Sequence, residues 1–421
     1  MMKLSVKLYP GIELMDIYYG YRYGWLTKLL KVSDTVMLRP ETKLGKAFNK
    51  RISIKQYLNK EYGISMEVLN GLKIMLDHGI FINEKEFSKI FGVQKSPKTL
   101  IEIYDVLKVS YGLAYDVPSK LHIEIAVETA LSELLNRPPN DKILKALYPS
   151  MRTHVENLAN ILINHIKVNN SLFRTSLSIN NLKQKLKQEM YKLLHQSMEE
   201  NTPIELRDAL YALSERTVEE TIKNLEEQLE FKAKSGRDSF RLVPVVQGLF
   251  EEYALECLDS IIDLLIDYQE LFIEDNRKHI YIAIGTGGKV LSGTEAEIIN
   301  KLMQAGFDRA RRSGVNVRFH VLGWSNPKIA EKLRIELIYS SDSLSARRRA
   351  VEGKVYMFTN NGKIRLVHVA NIDCNLWSCP CPVCSDPELR RLVLDPSGSR
   401  KNDARIVHNL WIIKQYISSL R

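Results

Sequence analysis

The sequence predicts an α/β fold, namely a (β/α)8 TIM barrel with a long helical insertion and a C-terminal subdomain that binds zinc. Short apolar runs end abruptly in a polar residue or glycine, and helical segments usually follow them, which predicts the barrel. A long stretch with only helical periodicity predicts the insertion. Three cysteines within six positions near the end of the chain predict the metal-binding subdomain.

Six apolar runs are the predicted parallel strands. A single Asp at the end of such a run is most often a turn or N-cap residue. Six consecutive strand ends of this type instead favour one active-site mouth, because (β/α)8 barrels carry their functional groups at the C-terminal ends of the strands. The runs are LKIML before Asp77, YGLAY before Asp116, RLVPVV before Gln247, IYIAI before Gly285, VRFHVL before Gly323 and IELIYSS before Asp342.

A helical region divides these strands into two groups. Four amphipathic segments lie within residues 120–235, so the first part of the barrel is predicted at 1–119 and the second at 236–370. Residues 371–421 form the predicted zinc-binding subdomain and C-terminal helix. The lysines of LKQKLKQEMYK are interpreted as a solvated helix face, with a nucleic-acid surface as the alternative.

The cysteine cluster has the spacing C-x-C-x2-C, formed by Cys379, Cys381 and Cys384. A structural zinc site needs four nitrogen or sulfur ligands, so a fourth ligand must come from elsewhere. His408 is the candidate, because the apolar residues around it have helical spacing and a helix could carry the imidazole back to the cysteines. A Cys3His zinc site is the favoured interpretation.

Several alternatives to this zinc site stay open. The three thiols could bind an iron–sulfur cluster or no metal, His408 could be an ordinary helix-face histidine, and Cys374 is a competing ligand just outside the cluster. His122 and Glu124 in HIE, taken with PCPVC, match elements of zinc nucleobase deaminases, but about 255 residues separate the two pieces, which disfavours that compact domain. Cys257 is predicted to be a core thiol.

Composition describes a soluble globular protein. The chain has 421 residues, of which 45% are hydrophobic and 26% charged, and its net charge of +10 permits a nucleic-acid partner without requiring one. No apolar run reaches the roughly 20 residues that a membrane span needs, and the N-terminus lacks the apolar stretch of a signal peptide. We therefore expect a cytoplasmic protein without a membrane partner, in a compartment where clustered cysteines favour metal over disulfides.

Together these motifs resemble the tRNA-guanine transglycosylase superfamily, including the relatives that insert 7-deazaguanines into DNA. The zinc motif of that family continues into a His-Asn-Leu helix, matched by His408-Asn409-Leu410. The family's base-binding Gln-Gly resembles VVQG, and its Ala-Ile-Gly-Gly strand end resembles IAIGTGG. Its Leu-Gly-x-Gly-x-Pro segment resembles HVLGWSNP, and its archaeal-type nucleophile segment resembles SSDSLSARRRAVEG. The resemblance covers roughly residues 70–118 and 240–415. The family's Asp-Ser-Gly-Gly-Phe is DHGIF here.

The resemblance implies an enzyme that exchanges guanine in a nucleic acid for a free 7-deazaguanine base, similar to preQ0. Asp342 would be the nucleophile that holds the covalent sugar intermediate, and Asp77 the acid/base group, as in retaining glycoside hydrolysis. The Zn2+ of the C-terminal subdomain would be structural, because a closed Cys3His set leaves no open position for water. The residues that would bind guanine are Asp116, Gln247, Gly248 and Gly285.

The expected polymer is DNA, with tRNA as the alternative. The chain ends soon after the zinc helix, which leaves no room for an RNA-binding C-terminal domain, and the first Asp motif departs from that of the tRNA enzymes. A non-catalytic, zinc-stabilised partner subunit is a further alternative, disfavoured because Asp77 and Asp342 are both present. A homodimer stays open. The predicted phosphate contacts are Arg347, Arg348, Arg349 and Lys354.

Overall fold

The first part of the chain alternates strands with helices. The structure, a computed structural model, describes residues 6–77, 84–138, 144, 147–168, 178–198, 203–237, 239–268, 273–274, 277–285, 295–322, 330–343, 345–373, 377–397 and 404–420. The first elements are β1 (Lys7–Pro10), α1 (Leu14–Arg22), α2 (Leu26–Val32), β2 (Thr35–Leu38), α3 (Thr42–Asn49), α4 (Ile54–Tyr62), α5 (Met66–Asn70), β3 (Lys73–Leu76), α6 (Glu84–Phe91), α7 (Pro97–Leu107) and β4 (Tyr111–Leu113).

A run of helices follows, and it matches the four amphipathic segments predicted from sequence. These helices are α8 (Ser119–Leu134), α9 (Arg152–Val168), α10 (Ile179–Met198) and α11 (Ile204–Ser235). Apolar residues of all four build a core of their own, and the C-terminal half of α11 packs through Val218, Leu225 and Leu229 into the larger core that surrounds the strands. Among the described helices, none is both long and apolar enough to cross a bilayer.

The second part of the chain returns to strands and helices. Its elements are β5 (Arg241–Val243), β6 (Val245–Val246), α12 (Glu251–Asp267), β7 (Ile273–Glu274), β8 (Arg277–Gly285), α13 (Glu295–Arg312), β9 (Asn316–Leu322), β10 (Ile338–Ser343), α14 (Ser345–Val351), β11 (Lys354–Phe358), β12 (Ile364–His368), α15 (Pro387–Leu394) and α16 (Ala404–Ser419). All six predicted runs form strands, with RLVPVV divided into β5 and β6, and among the described residues the structure adds β1, β2, β7, β11 and β12.

The main strands form two parallel sheets, which confirms the predicted α/β class. One sheet has the order β2-β3-β4-β5, and the other has the order β1-β10-β9-β8-β6, with the short β7 pairing antiparallel to β8. A bridge between Gly11 and Met37 connects the ends of β1 and β2. Pro244 alone separates β5 from β6, and its carbonyl accepts a hydrogen bond from the Ala283 amide of β8.

Both faces of these strands are buried. One face of each strand contributes to a common cluster that contains Tyr9, Met37, Met75, Tyr111, Leu113, Val243, Val245, Tyr281 and Ala283, with Leu322 and Tyr339 packed against it. The opposite faces pack beneath the helices in the larger core. This double burial explains why the strands are continuous apolar runs in the sequence and why the polar residues appear at their ends.

Candidate metal centre and candidate active site

Four side chains with metal-binding atoms meet in the C-terminal region. Cys379, Cys381 and Cys384 lie in the turn before α15, and His408 lies on α16; their ligand atoms are all within 4.8 Å of one another. The His408 Nδ1 atom is 3.6, 3.4 and 3.5 Å from the three sulfurs in chain order. One tetrahedral ion with bonds of about 2.3 Å to sulfur and 2.0 Å to nitrogen would separate these atoms by about 3.5 Å. The four residues therefore fit a single metal ion.

The surroundings of His408 prepare its Nδ1 atom for a metal. The Nε2 atom lies 2.8 Å from the Tyr356 carbonyl of β11, so the Nε2–H group donates to that carbonyl and Nδ1 faces the sulfurs. The Trp377 ring packs edge-on against the buried imidazole, with 5.3 Å between ring centroids. Asn409, also buried, accepts a hydrogen bond from the Tyr356 amide and donates to the Lys354 carbonyl, which fixes α16 against β11.

The four ligand side chains influence one another electrostatically. Hydrogen bonds from Cys381 and Cys384 lower the pKa of the Cys379 thiol far below its ordinary value, while hydrogen bonding to Cys379 raises that of Cys384. Burial opposes protonation of His408, but hydrogen bonds with Cys379 and Cys381 outweigh it and raise its pKa to about 10. Hydrogen bonding thus favours a thiolate at Cys379, which is the form of cysteine that binds metal.

The other sequence candidates for metal binding lie elsewhere. Cys374 is outside the described residues. His122 is buried in α8, where its Nδ1 atom lies 2.8 Å from the Pro118 carbonyl, and among the described residues the metal-binding cluster includes neither His122 nor Glu124. The deaminase interpretation therefore has no shared metal site here. Cys257 is fully buried in α12, as predicted for a core thiol, and burial raises its pKa to about 12.

Two of the predicted base-binding residues contact each other directly. Asp116 follows β4, Gln247 follows β6, and the Gln247 amide group donates to the Asp116 carboxylate. Helix α11 fixes the backbone beside Asp116, because Gln228 accepts from the Tyr115 amide at 2.8 Å and Thr221 accepts from the Val117 amide at 3.0 Å. This pair presents amide and carboxylate groups of the kind that can bind the edge of a purine.

Asp77 lies next to an arginine that sequence reasoning did not identify. The Asp77 amide donates to the carbonyl of Leu38, the last residue of β2, at 2.9 Å. This bond places Asp77 beside Arg39, whose Nε atom is 4.0 Å from the Asp77 carboxylate. The Arg39 side chain is 60% exposed, so its guanidinium remains accessible from solvent. The neighbouring residues His78 and Ile80, where the family motif departs, lie outside the described residues.

A buried lysine is the second residue that sequence reasoning missed. Lys95 is 7% exposed, and its ammonium lies 5.4 Å from the centre of the Tyr115 ring. Burial lowers its pKa to about 8, although Asp77 and Asp116 act in the opposite direction. Lys95 is therefore a cation within the electrostatic range of both carboxylates. It lies between two helices, where no strand-end signal could have indicated it.

Asp342 borders a cavity of about 230 Å³ at the C-terminal ends of β1, β2 and β10. Arg39 lines the same cavity, and its Nε atom is 4.0 Å from the Asp77 carboxylate. Arg39 is therefore close to Asp77 and also borders the cavity that Asp342 lines. Glu41 contributes a carboxyl to the wall, and burial raises its pKa above the ordinary value. The lining residues are Gly11, Ile12, Glu13, Met37, Arg39, Pro40, Glu41, Asp342 and Arg347.

Gly248 has a packing reason to be glycine. Its φ is +144°, and a Cβ atom there would come within 2.5 Å of the Ala254 amide nitrogen in α12. The resemblance assigns Gly248 to base binding, whereas in the structure the close approach of α12 requires a glycine there. At Gly285 a Cβ would meet no atom within 4 Å among the described residues. Gly323 and the GTGG residues 286–288 lie outside the described residues.

The predicted phosphate contacts lie on and beside α14, and acidic residues pair with them. Arg347 binds Glu13 at 2.8 Å and Asp16 at 2.9 Å. Arg349 and Lys354 both contact Glu352, at 2.8 and 3.0 Å. The Arg348 side chain is 65% exposed, and its Nε atom is 3.9 Å from Glu352. Arg348 is thus the most exposed member of this set, and a nucleic-acid role for all four stays a prediction.

No protein-family model matches this chain, and no curated protein matches it significantly. Function is therefore inferred from the residues and distances described above.

Proposed function

We propose that the protein is a guanine transglycosylase that exchanges guanine in a nucleic acid for a 7-deazaguanine base. DNA is the favoured polymer, and tRNA is the alternative. One observation carries the proposal: Asp77 and Asp342 both lie at C-terminal strand ends, and Arg39 neighbours the first while lining the same cavity as the second. Two carboxylates at one mouth are what a retaining exchange at a sugar carbon requires.

The proposed exchange has two steps with balanced atoms. An oxygen of Asp342 attacks C1′ of the target nucleotide, and the C1′–N9 bond breaks as Asp77 donates a proton to the leaving guanine. In the second step Asp77 takes a proton from N9 of the incoming base, N9 bonds to C1′, and the carboxylate of Asp342 leaves. Two inversions at one carbon retain the configuration of the sugar.

The Asp116–Gln247 pair is the proposed reader of guanine. Gln247 donates to Asp116, and a carboxylate and an amide carbonyl are groups that can accept from the N–H groups of a purine edge. Lys95 adds a positive charge near both Asp77 and Asp116. The target base must first leave its stack, which costs a few kcal/mol in a duplex and less in a loop.

The proposal also includes a closed barrel and a structural zinc ion. The Gly11–Met37 bridge and the single residue between β5 and β6 support one closed (β/α)8 barrel formed from the two sheets. Zn2+ is the proposed ion, because a complete Cys3His set is typical of structural zinc. Its role would be to hold α16 against the cysteine turn, and no step of the exchange uses it.

Base exchange in two polymers tests the proposed function. Purified protein is offered radiolabelled guanine together with either unmodified tRNA or duplex DNA, and label in the recovered polymer is counted. We expect incorporation into one of them, DNA by preference. Replacing Asp342 with Asn should reduce the rate by at least about 10³-fold, since the amide cannot act as nucleophile.

Asp308→Asn is the matched control, because Asp308 is an exposed carboxylate on α13 whose contact is with Gln304. It should exchange base at the wild-type rate. If the wild type labels neither polymer, the non-catalytic partner subunit becomes the better interpretation. Exchange by Asp342→Asn at the wild-type rate would show that the nucleophile is another residue.

A further inference from the structure

A buried imidazole faces the proposed nucleophile. His320 lies on β9 opposite Ser340 of β10, and side chains on one strand alternate between faces, so His320, Ser340 and Asp342 share a face of the sheet. The Nε2 atom of His320 is 3.4 Å from Oδ1 of Asp342, and the side chains of the two residues are 1% and 8% exposed. Within the described residues Nε2 makes no hydrogen bond of standard geometry, and the Asp342 carboxylate is the acidic group that lies within 4 Å of it.

The other side of the ring is held in place. His320 Nδ1 lies 2.9 Å from the Ser340 hydroxyl. Tyr9, from β1 on the far side of β10, stacks on the imidazole with 5.5 Å between ring centroids and 21° between ring planes, and it interacts with Ser340. Tyr9 and Ser340 are each 1% exposed. These contacts leave the imidazole little freedom to rotate.

The direction of the hydrogen bonds follows from the carboxylate. A carboxylate can only accept, so the imidazole must carry its proton on Nε2 in order to bind Asp342. Nδ1 of a neutral imidazole is then an acceptor, and the Ser340 hydroxyl donates to it. The opposite tautomer would point a lone pair at the carboxylate. Polar contacts of this kind are often long before substrate binds and shorten in the reacting complex.

We propose that His320 is a positioning residue for Asp342. The Nε2–H of His320 holds Oδ1 of Asp342, and Oδ2 is the oxygen that attacks C1′. The attack itself rests on the proposed function. The bond that forms is Oδ2–C1′ and the bond that breaks is C1′–N9, while the imidazole proton stays on Nε2 throughout. His320 therefore fixes the angle of attack and does not transfer a proton.

Kinetics with two variants of His320 test this role. His320→Leu removes both ring nitrogens, whereas His320→Gln keeps an amide N–H near the position of Nε2. We expect His320→Leu to lower kcat of base exchange by roughly 10²-fold, the effect of misplacing a reacting group by about 1 Å, with KM for nucleic acid changed by less than about threefold. His320→Gln should recover most of that loss. Equal losses in the two variants, or a loss in KM alone, would overturn the proposal.

Ser341→Ala is the matched control on the same strand. Ser341 is fully buried like His320, but it lies on the opposite face of the sheet, where its hydroxyl donates to the Val321 carbonyl at 2.7 Å. Its exchange rate should stay within about threefold of wild type. Unchanged melting temperatures and metal content would show that each variant is folded.

Imidazole NMR separates this inference from the proposed function. With ¹⁵N-labelled histidine, the His320 signals are assigned by their loss in His320→Gln. We expect a proton on Nε2 and none on Nδ1 at neutral pH, whatever substrate the protein uses. A proton on Nδ1 with a bare Nε2 would overturn the positioning role. An Nε2–H imidazole in a protein that exchanges no base would support the contact and overturn the proposed function instead.

Discussion

Lys95 is a cation held inside the protein beside the proposed acid/base carboxylate. Few lysines are as buried as this one, and burial of an ammonium disfavours its charged form. Its pKa of about 8 means that the charge is present at neutral pH but is lost in mild alkali. A nearby charge that depends on pH would alter the proposed proton transfer by Asp77 and the proposed base binding by Asp116.

We expect Lys95→Met to change how stability depends on pH. The native pKa lies below that of the unfolded chain, so between about pH 8 and 10.5 the unfolded state holds a proton that the native state has lost, and stability rises with pH. The variant lacks this rise. The difference in unfolding free energy, wild type minus variant, should therefore grow by roughly 3 kcal/mol across that range.

Urea unfolding at pH 7.5, 9 and 10.5 measures this difference. Lys98→Met is the control, because the Lys98 side chain is 57% exposed and pairs at 3.4 Å with Glu227 on the surface. Its stability should follow the wild-type curve. Parallel curves for wild type and Lys95→Met would show that Lys95 is not held at a lowered pKa.

At the scale of single residues, the sequence indicated some of the candidate site and missed the rest for a physical reason. Asp77 and Gln247 each follow an apolar run, and a polar residue at such a boundary is visible without knowing the fold. Lys95 lies in a connection between helices, and His320 is one polar residue inside a strand. Their importance comes from neighbours that are distant in the chain, which periodicity cannot reveal.

Among the elements, α11 has a role that composition alone did not indicate. It begins in the core of the helical region and ends in the core around the strands. Ser214 accepts from the Leu249 amide at 2.9 Å, beside Gln247 and Gly248. Since Gln228 and Thr221 hold the backbone on both sides of Asp116, one helix supports both halves of the proposed base-binding pair. Its amphipathic pattern predicted a helix but not these contacts.

Helix α16 carries His408, one of the four residues that could hold a metal ion. Its apolar spacing predicted a helix that returns His408 to the cysteines, and the structure has that arrangement. The Tyr356 carbonyl that orients the imidazole could not be predicted, because it belongs to a hairpin about 50 residues earlier in the chain.

Removal of the proposed zinc ion should destabilise the C-terminal region. We expect one zinc ion per chain, and either a chelator or Cys381→Ala should lower the melting temperature by roughly 5 to 10 °C, because the remaining buried ligands lose their partner. Elemental analysis and thermal melts measure both effects. Cys257→Ala, which removes a buried thiol outside the cluster, should keep its zinc. Purified protein without zinc, or full zinc content in Cys381→Ala, would contradict the ligand assignment.

For the whole molecule, the parallel strands explain how residues far apart in the chain reach the same edge of a sheet. Parallel strands direct their C-terminal ends to the same side of a sheet, which places Arg39, Asp77 and Asp116 at one edge of the first sheet and Gln247 and Asp342 at one edge of the second. The sequence predicted the α/β class because double burial leaves continuous apolar runs. It did not identify β1 and β2, although a glycine, Gly11, and a polar residue, Arg39, follow them as such residues follow the predicted strands.

The central claim is that Asp342 forms a covalent bond to the sugar, and mass spectrometry of a trapped intermediate tests it most directly. The protein is incubated with nucleic acid in the absence of a free base, denatured, and digested with protease and nuclease. We predict a nucleotide adduct on the peptide that contains Asp342, present in wild type and Ser341→Ala and absent in Asp342→Asn. An adduct on another residue, or base exchange by a wild-type enzyme that never forms one, would contradict this account.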